Sequence, residues 1–364
     1  MAGMKAEMVK QALVRYIADS RLRPGDKLPS QTDLRLSLNV GSATISTAIN
    51  ALAEDNVLEI RDKVGAFIKK TGLDGHTGRN IAILINVANS TYNHILVNQL
   101  QQYLQNNNCH NYVFTCPADK DSKKLKNYPG LFRHLRQNNI SGIIITCMLL
   151  DTEYAFLDRE KIEFVSMLKA NAPYSSCFID FSRYIDDAFK YLAPMNISRP
   201  AVAARSYQEN ILISKPFIKH LKKINPGLDY RDYYLKTYSF DDSRSIVEEL
   251  LSRPADKRPD ALIFTGDVAM QSIVAWLVRL QKGIKDKYLP IAVALLNKQN
   301  PMMPILENIG IFELDICEQT KVAVESLLTG IRTQRPVKSH AITAKLVSLE
   351  EYCENSIAPD DIED

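Results

Sequence analysis

Short apolar runs alternate with longer segments of helical periodicity through most of the chain, from Ile81 to about Val347. This alternation predicts an α/β fold in which helices cover parallel sheets. The stretch spans about 265 residues, which is long for one sheet, so we expect two α/β lobes. The predicted strands are Ile81–Val87, Tyr112–Thr115, Ile143–Cys147, Phe164–Met167, Pro200–Ala203, Tyr233–Thr237, Ala261–Phe264 and Ile291–Leu295.

A different pattern occupies residues 1–70, where helical periods come first and two short strand-like runs follow. An apolar stripe that includes Val9, Leu13 and Ile17 predicts the first helix. Apolar residues from Ile45 to Leu52, at the spacing i, i+3, i+4 and i+7, predict another helix.

Turn and capping signals lie between and after these two helices. Ser30, with Asp33 three residues later, has the form of a capping box and predicts the start of a short helix. That helix should end near Asn39-Val40-Gly41, and two short helices joined by a tight glycine-bearing turn predict a helix-turn-helix. The runs 57–61 and 66–69 flank a four-residue turn and predict a hairpin of the type that forms a wing.

Composition narrows the functional classes. The net charge is only +3, and 46% hydrophobic with 24% charged residues is ordinary for a soluble globular protein. No segment approaches the ~18 apolar residues of a membrane span, so we expect a cytoplasmic protein without a membrane partner. The six cysteines are dispersed without a CxxC pair, which indicates reduced thiols. Enzyme motifs and histidine spacings of metal sites are absent, so we expect no enzyme, no cofactor and no metal.

Residues 11–70 resemble the winged helix of GntR-type regulators. The string PGDKLPS at Pro24–Ser30 and the wing run Gly65–Ile68 carry most of the resemblance. Matching positions between them are Leu34, Leu38, Val40, Thr44, Ala48 and Leu52. The resemblance implies a domain that binds double-stranded operator DNA.

The sequence departs from this family at the positions that touch DNA. Thr32, Ser42 and Ser46 replace three arginines that usually face DNA, and Lys63 replaces the first wing glycine. Bidentate arginine–guanine readout is therefore absent from its usual places, and we expect hydroxyl, amide and lysine contacts. The expected DNA-binding residues are Lys27, Thr32, Arg35, Ser42, Thr44, Ser46, Thr47, Asn50, Lys63 and Gly65.

Residues 81–348 resemble the LacI-type effector domain, which has the fold of periplasmic sugar-binding proteins. Order and spacing carry this resemblance more than any single motif. The strongest local match is PDALIFTGD at Pro259–Asp267, and Leu314–Ile331 resembles the family's late amphipathic helix. A GntR-type head on this sensor is the architecture of the arabinose-repressor branch.

The resemblance also implies an effector held between the lobes at the carboxyl ends of strands. The family's cleft arginine falls on Ile213 and one of its aspartates on Asn297, so the sugar-binding set is incomplete. A non-sugar effector and a degenerate pocket both stay open, and each candidate also has a structural interpretation as a loop cap or hinge contact. The expected effector contacts are Asn89, Tyr92, Asp180, Asp267 and Asn297.

The fold class expected from these resemblances is an α+β winged helix-turn-helix followed by a two-lobed, periplasmic-binding-protein-like α/β domain with parallel sheets. The chain should cross between the lobes near residues 178–180, 296–298 and 333–337. The predicted segments are the winged helix at 1–70, a glycine-bearing linker at 71–80, the effector-binding domain at 81–350 and an acidic tail at 351–364. Lobe 1 is assigned to about 81–178 and 298–332, and lobe 2 to about 180–296 and 336–348.

The function predicted from the sequence is sequence-specific transcription regulation, expected to be repression, under the control of a small-molecule effector such as a sugar. One short recognition helix reads few base pairs, so we expect a homodimer on two half-sites. The alternative that the sequence leaves open is a ligand-binding protein whose winged helix has lost operator binding.

Overall fold

The chain divides into two compact units. One comprises residues 1–84, 104–143 and 149–163, and the other comprises residues 85–103, 144–148 and 164–364. The predicted linker positions 71–78, with Lys63 and Asn89, lie outside the described residues. The computed structural model describes residues 9–10, 12–14, 16–17, 20, 22–54, 57–62, 64–69, 79–86, 91–117, 119–137, 139–170, 172–204, 211–237, 240–285, 287–299, 306, 308–333 and 335–357.

A helix-turn-helix follows an N-terminal helical segment, as the apolar pattern predicts. The two helices are α1 (Gln31–Leu38) and α2 (Ser42–Glu54). They share one apolar core with the N-terminal segment, because the predicted stripes all face inward. The core side chains from these three segments are Val9, Leu13, Ile17, Leu34, Ile45, Ala48, Ile49 and Leu52, each at most 5% exposed.

The two ends of α1 lie at the predicted capping and turn residues. Ser30 caps the helix by accepting a hydrogen bond from the Asp33 N–H at 3.2 Å. The Asp33 carboxylate accepts from the Ser30 hydroxyl at 2.6 Å, so the capping pair closes through side chains. The helix ends within the predicted turn, at Asn39, which has the left-handed conformation with φ 49°. Asparagine tolerates this conformation because its short polar side chain can form local hydrogen bonds, so the turn does not need a glycine at this position.

The wing is an antiparallel hairpin of β1 (Leu58–Arg61) and β2 (Gly65–Ile68). Arg61 pairs with Gly65 at the end of the ladder, and the Val64 N–H donates to the Arg61 carbonyl at 3.0 Å to close the turn. Gly65 has φ +127°, a conformation that L side chains rarely adopt. The predicted glycine position is therefore required by the backbone.

A four-stranded sheet follows the winged helix and has the strand order β4-β3-β5-β6. All four strands coincide with predicted ones to within two residues at each end. Their bounds are β3 (Asn80–Asn86), β4 (His110–Cys116), β5 (Gly142–Ile145) and β6 (Phe164–Ser166). The helices between them are α3 (Thr91–Asn106), α4 (Leu131–Arg136) and α5 (Asp151–Arg159).

The second compact unit contains a six-stranded sheet with the order β14-β12-β11-β10-β8-β9. Its inner strands pair in parallel, whereas β14 joins the edge in the antiparallel direction. The strands are β8 (Pro200–Ala204), β9 (Tyr234–Lys236), β10 (Ala261–Phe264), β11 (Ile291–Asn297), β12 (Ile309–Leu314) and β14 (Lys345–Val347). The helices are α6 (Phe181–Leu192), α7 (Ile211–Ile224), α8 (Tyr230–Tyr233), α9 (Phe240–Ser252), α10 (Asp267–Leu280), α11 (Ile316–Thr333) and α12 (Leu349–Ile357).

Strand β12 corrects one predicted boundary. Residues 298–332 were assigned to lobe 1, yet β12 pairs in parallel with β11 over six positions. The chain therefore stays in the same sheet past residues 296–298, where the sequence predicted a crossing. A separate parallel pair joins β7 (Cys177–Ile179) to β13 (His340–Ile342). Strand β7 overlaps the predicted crossing at 178–180, and β13 follows the one at 333–337.

The predicted acidic tail is partly a helix. Residues 349–357 form α12, and the side chain of Tyr352 is only 1% exposed. The Tyr352 hydroxyl donates to the Asn297 carbonyl at 3.2 Å, which ties α12 to the end of β11. The prediction of a tail from residue 351 was wrong for these residues, because one buried aromatic outweighs the surrounding acidic composition.

We predict that Gly310→Ala destabilises the second unit by about 1–3 kcal/mol, because the new methyl group overpacks the contact between β12 and the Tyr191 ring. A Cβ at position 310 would lie 2.6 Å from Cε1 and 2.8 Å from Cζ of Tyr191. Urea unfolding followed by the fluorescence of Trp276, the chain's single tryptophan, measures the loss in this unit.

The matched control is the same substitution in a Tyr191→Ala background. There the clash is absent, so Gly310→Ala should cost much less, and the double-mutant cycle gives the difference. Equal losses in both backgrounds would show that the Tyr191 ring is not the cause.

Candidate nucleic-acid interface and effector site

Helix α2 presents a polar face opposite its buried one. The N-terminal residue Ser42 and the side chains of Thr47 and Asn50 are exposed, and Thr44 and Ser46 are partly exposed. Ser42, Ser46 and Asn50 recur every four residues and so form one stripe along the helix. These are the positions at which the sequence predicted DNA contacts, and the structure brings them to one surface.

Two hydroxyl groups of this face already donate hydrogen bonds within the domain. Thr47 Oγ1 donates to the Ala43 carbonyl, one turn earlier, at 2.9 Å. Ser46 Oγ donates to Oε1 of Gln31, the first residue of α1, at 3.1 Å. Gln31 is absent from the set predicted from the sequence. Only the packing of α1 against α2, which brings Gln31 next to Ser46, identifies it.

Helix α1 and the segment before it add two cations. Lys27 and Arg35 are exposed, and neither forms an ion pair with the described part of the chain. Thr32 is exposed on the same helix as Arg35. These side chains remain able to meet phosphate groups, which is the role the sequence predicted for the two cations.

Lys27 also forms part of the wing. Its backbone bridges Phe67 in the antiparallel direction, and its side chain lies over Gly65, so that a Cβ at Gly65 would lie 2.9 Å from Lys27 Cε. The Arg61 guanidinium stacks 4.4 Å above the Phe67 ring. Arg61 also pairs with Glu59 at 3.1 Å, and this pairing lowers the pKa of Glu59. The wing therefore offers Lys27 as its free cation among the described residues, whereas Arg61 is engaged.

Polar side chains follow the strands of the six-stranded sheet at their carboxyl ends. Asp267 and Thr265 follow β10, and Asn297 ends the neighbouring strand β11. All three are at most 5% exposed, which is unusual for polar groups. The Val268 N–H donates to the Asp267 carboxylate at 2.8 Å, at the start of α10. Two of the five predicted effector contacts, Asp267 and Asn297, thus lie at the carboxyl ends of adjacent strands.

Asp180 and Tyr92 have structural partners. The Asp180 carboxylate caps α6 by accepting from the Arg183 N–H at 3.0 Å. The Tyr92 hydroxyl donates to Gln319 Oε1 at 2.8 Å. The interpretation of Asp180 as a helix cap, which the sequence allowed, therefore describes its geometry, while an effector role for either residue stays a prediction.

Two buried polar groups were missed by sequence reasoning. Gln319 in α11 is fully buried, and its Nε2 group has no hydrogen-bond partner among the described residues. Thr237, which follows β9, is 3% exposed, and its Oγ1 is likewise unpartnered there. Near Gln319, burial and the charge of Glu318 raise the pKa of Cys177 to about 12, so this thiol stays protonated. A single polar residue beside apolar neighbours carries no periodic signal, which is why these two positions could not be identified from the sequence.

The described residues contain neither a group of metal ligands nor a helix suited to span a membrane. Among the described residues, no three histidine, cysteine, aspartate or glutamate side chains come together in a way that could hold a metal ion. In the same part of the chain, no helix has the length and apolar character needed to cross a membrane.

Comparison with known proteins places the N-terminal geometry in a family. Residues 5–68 match the family described as bacterial regulatory proteins, gntR family. The N-terminal domain is a GntR-type winged helix. The match ends at Ile68, the last residue of the wing strand β2. No curated protein matches the chain.

Solved structures share the fold of the remaining chain. A LacI-family regulatory protein from Chloroflexus aggregans is 18% identical with a TM-score of 0.58, and the match covers 73% of this chain and 96% of that one. A LacI-family transcriptional regulator from Lactobacillus casei with bound glucose is 14% identical with a TM-score of 0.57, and the match covers 74% of this chain and 97% of that one. The Cra transcriptional dual regulator from Pseudomonas putida, in complex with fructose 1-phosphate, is 14% identical with a TM-score of 0.57. This match covers 74% of this chain and 98% of that one. The GntR-type winged helix therefore precedes a domain that shares the fold of these LacI-family structures, as the sequence predicted.

We predict that Gly65→Ala loosens the wing, because an alanine at φ +127° is strained and its methyl group meets Lys27. Amide exchange in β1 and β2, measured by mass spectrometry on the full chain, should become faster by roughly tenfold or more. Gly41→Ala is the matched control, since its nearest contact would be Thr44 Oγ1 at 3.9 Å. Unchanged exchange in the wing of the Gly65 variant would contradict the assignment of strain.

Proposed function

We propose that this protein is a cytoplasmic, homodimeric transcription regulator that binds double-stranded operator DNA and is controlled by a small-molecule effector. The observation that carries the proposal is the union, in one chain, of a GntR-type winged helix and a domain with the LacI-type fold. The first supplies an exposed polar helix face with neighbouring free cations. The second supplies buried polar groups at strand ends.

The DNA contacts follow from the exposed groups of the winged helix. Lys27 and Arg35 neutralise phosphates, and the first-turn amides of α2 add donors at a helix N-terminus. Ser42 and Asn50 lie on the stripe that faces base edges, where asparagine pairs with adenine and serine contacts several bases. A single face of this size reads few base pairs, so two subunits on two half-sites give the specificity that a regulator needs.

The effector site lies at the carboxyl ends of β10 and β11. Asp267 accepts hydrogen bonds and Asn297 both donates and accepts them, which suits the hydroxyl groups of a sugar or a related metabolite. Two solved proteins of this fold hold glucose and fructose 1-phosphate. Because Ile213 is fully buried in α7, it offers no polar group in place of the arginine expected there.

A second function has its own support. Thr32, Ser42 and Ser46 give no cation where the family has arginines, and two hydroxyls of the α2 face already donate within the domain. A ligand-binding protein that no longer binds operator DNA has the same geometry. Salt-dependent DNA binding separates the two functions, since only a regulator retains it.

We predict that the full chain binds duplex DNA with an affinity that falls steeply with salt. Lys27→Ala and Arg35→Ala should each lower affinity similarly for all sequences and reduce the salt slope by about 0.9, the value for one phosphate contact. Fluorescence anisotropy of labelled duplexes between 50 and 200 mM salt measures both effects, a range over which about six contacts would cost about a thousandfold. Lys282→Ala, which removes an exposed lysine from the other unit, is the charge-matched control. Binding without salt dependence would instead favour the free ligand-binding protein.

We predict that Asp267→Asn weakens effector binding by about 10- to 100-fold, because a hydrogen bond to a charged group contributes about 1.5–3 kcal/mol. A panel of sugars and sugar phosphates that includes glucose and fructose 1-phosphate is screened by thermal shift, and the Kd of the ligand that stabilises the wild type is then measured by calorimetry.

DNA binding by the ligand-free Asp267 variant should equal that of the wild type. Asp256→Asn, an exposed position in the same unit, is the control and should keep full effector affinity. An Asp267 variant that keeps effector affinity and loses DNA binding would show that the site is wrongly assigned.

A further inference from the structure

One hydrogen bond links the two helices of the helix-turn-helix at the surface that faces DNA. Ser46 Oγ donates to Gln31 Oε1 at 3.1 Å, and no other hydrogen bond of the Gln31 side chain exists within the described residues. Gln31 is exposed at the first position of α1, and Ser46 is partly exposed at the centre of the polar stripe of α2. An exposed glutamine held at a defined point beside a recognition stripe differs from a solvated surface side chain.

The bond leaves Gln31 with a specific hydrogen-bonding pattern. A carboxamide oxygen has two lone pairs, of which Ser46 occupies one, and the NH₂ group keeps both donors. One free acceptor beside one free donor is the pattern that pairs bidentately with adenine, through N6–H and N7, in the major groove. Because the only hydroxyl hydrogen of Ser46 is donated to Gln31, Ser46 has no donor left for a guanine or a phosphate.

The neighbouring acid does not disturb this arrangement. Asp33 lies in the same first turn of α1, but its carboxylate accepts from the Ser30 hydroxyl at 2.6 Å. Among the described contacts, the Asp33 carboxylate forms no hydrogen bond with the Gln31 amide. The amide stays presented for an external partner, and its orientation is set before DNA binds.

We propose that Gln31 is a base-reading residue that specifies adenine, and that Ser46 acts as a positioning residue through its hydrogen bond to the Gln31 carbonyl. This inference rests on the proposed function of DNA binding. It assigns readout at this point to a neutral amide supplied by the first helix of the motif, in place of a cation on the recognition helix.

The test is selection of bound sequences from random duplexes by the full chain, followed by affinity measurements on the selected site. The wild type should enrich an adenine at one position of each half-site. Replacing that adenine should weaken binding by about 5- to 100-fold, the range of one bidentate contact. Gln31→Ala should lose the preference at that position alone.

Gln31→Glu provides the sharper readout. A carboxylate only accepts hydrogen bonds, so the preferred base should change from adenine to cytosine, whose N4–H₂ group is a donor. Ser46→Ala should broaden the adenine preference without changing the salt slope, because a loss of positioning removes no phosphate contact. Ser37→Ala is the control, since Ser37 lies on α1 but donates to the Leu34 carbonyl, and it should select the wild-type motif.

The outcomes separate the inference from the function on which it rests. If the wild type selects a motif and both Gln31 variants select the same one, Gln31 does not read a base and the inference is wrong, while the DNA-binding function stands. A wild type that shows no salt-sensitive DNA binding overturns both. Gln31 and Ser46 are not part of the buried core, and circular dichroism of each variant confirms that the helices are intact.

Discussion

Three backbone hydrogen bonds between the segment before α1 and the wing strand β2 hold the winged helix together. Gly25 donates to the Ile68 carbonyl at 2.7 Å, Ile68 donates to Asp26 at 2.8 Å, and Leu28 donates to Ala66 at 2.8 Å. This short ladder adds an edge to the hairpin, which would be marginal alone. It also fixes Lys27 over the wing and delivers Ser30 to the start of α1. The helix cap, the free cation and the wing therefore depend on one ladder.

In the second unit, the buried parallel strands determine where polar side chains can lie. Strands such as β8 and β10 are buried along their whole length and use only apolar side chains, so polar chemistry can enter only where a strand ends. Thr237, Thr265, Asp267 and Asn297 occupy those ends and are each at most 5% exposed. Their placement gathers polar groups at one edge of the sheet, the position at which ligands bind in open parallel sheets.

Much of the fold could be predicted, because periodicity records which face is buried. All eight predicted strands form, and the stripes of the helix-turn-helix become its core. Strand β12 was missed because its short run precedes a conspicuous amphipathic helix, which was taken to mark the return to the first lobe. The order of α12 depends on one buried tyrosine, which local composition cannot show. The residues of the predicted DNA face could be identified from a motif, whereas the Ser46–Gln31 bond joins positions fifteen apart and needs the folded turn.

The loss of arginines from this surface has a consequence beyond weaker attraction. A guanidinium contacts phosphates and guanines with the same charge, so specific and non-specific binding rise together. A neutral amide held by a neighbouring hydroxyl contributes almost nothing to counterion release, and its free energy appears only when the correct base edge is present. In the proposed interface, Lys27 and Arg35 bind phosphates and Gln31 reads a base, so affinity and readout rest on different side chains. Such a surface can change its operator sequence by a single polar substitution while its general affinity for DNA stays the same.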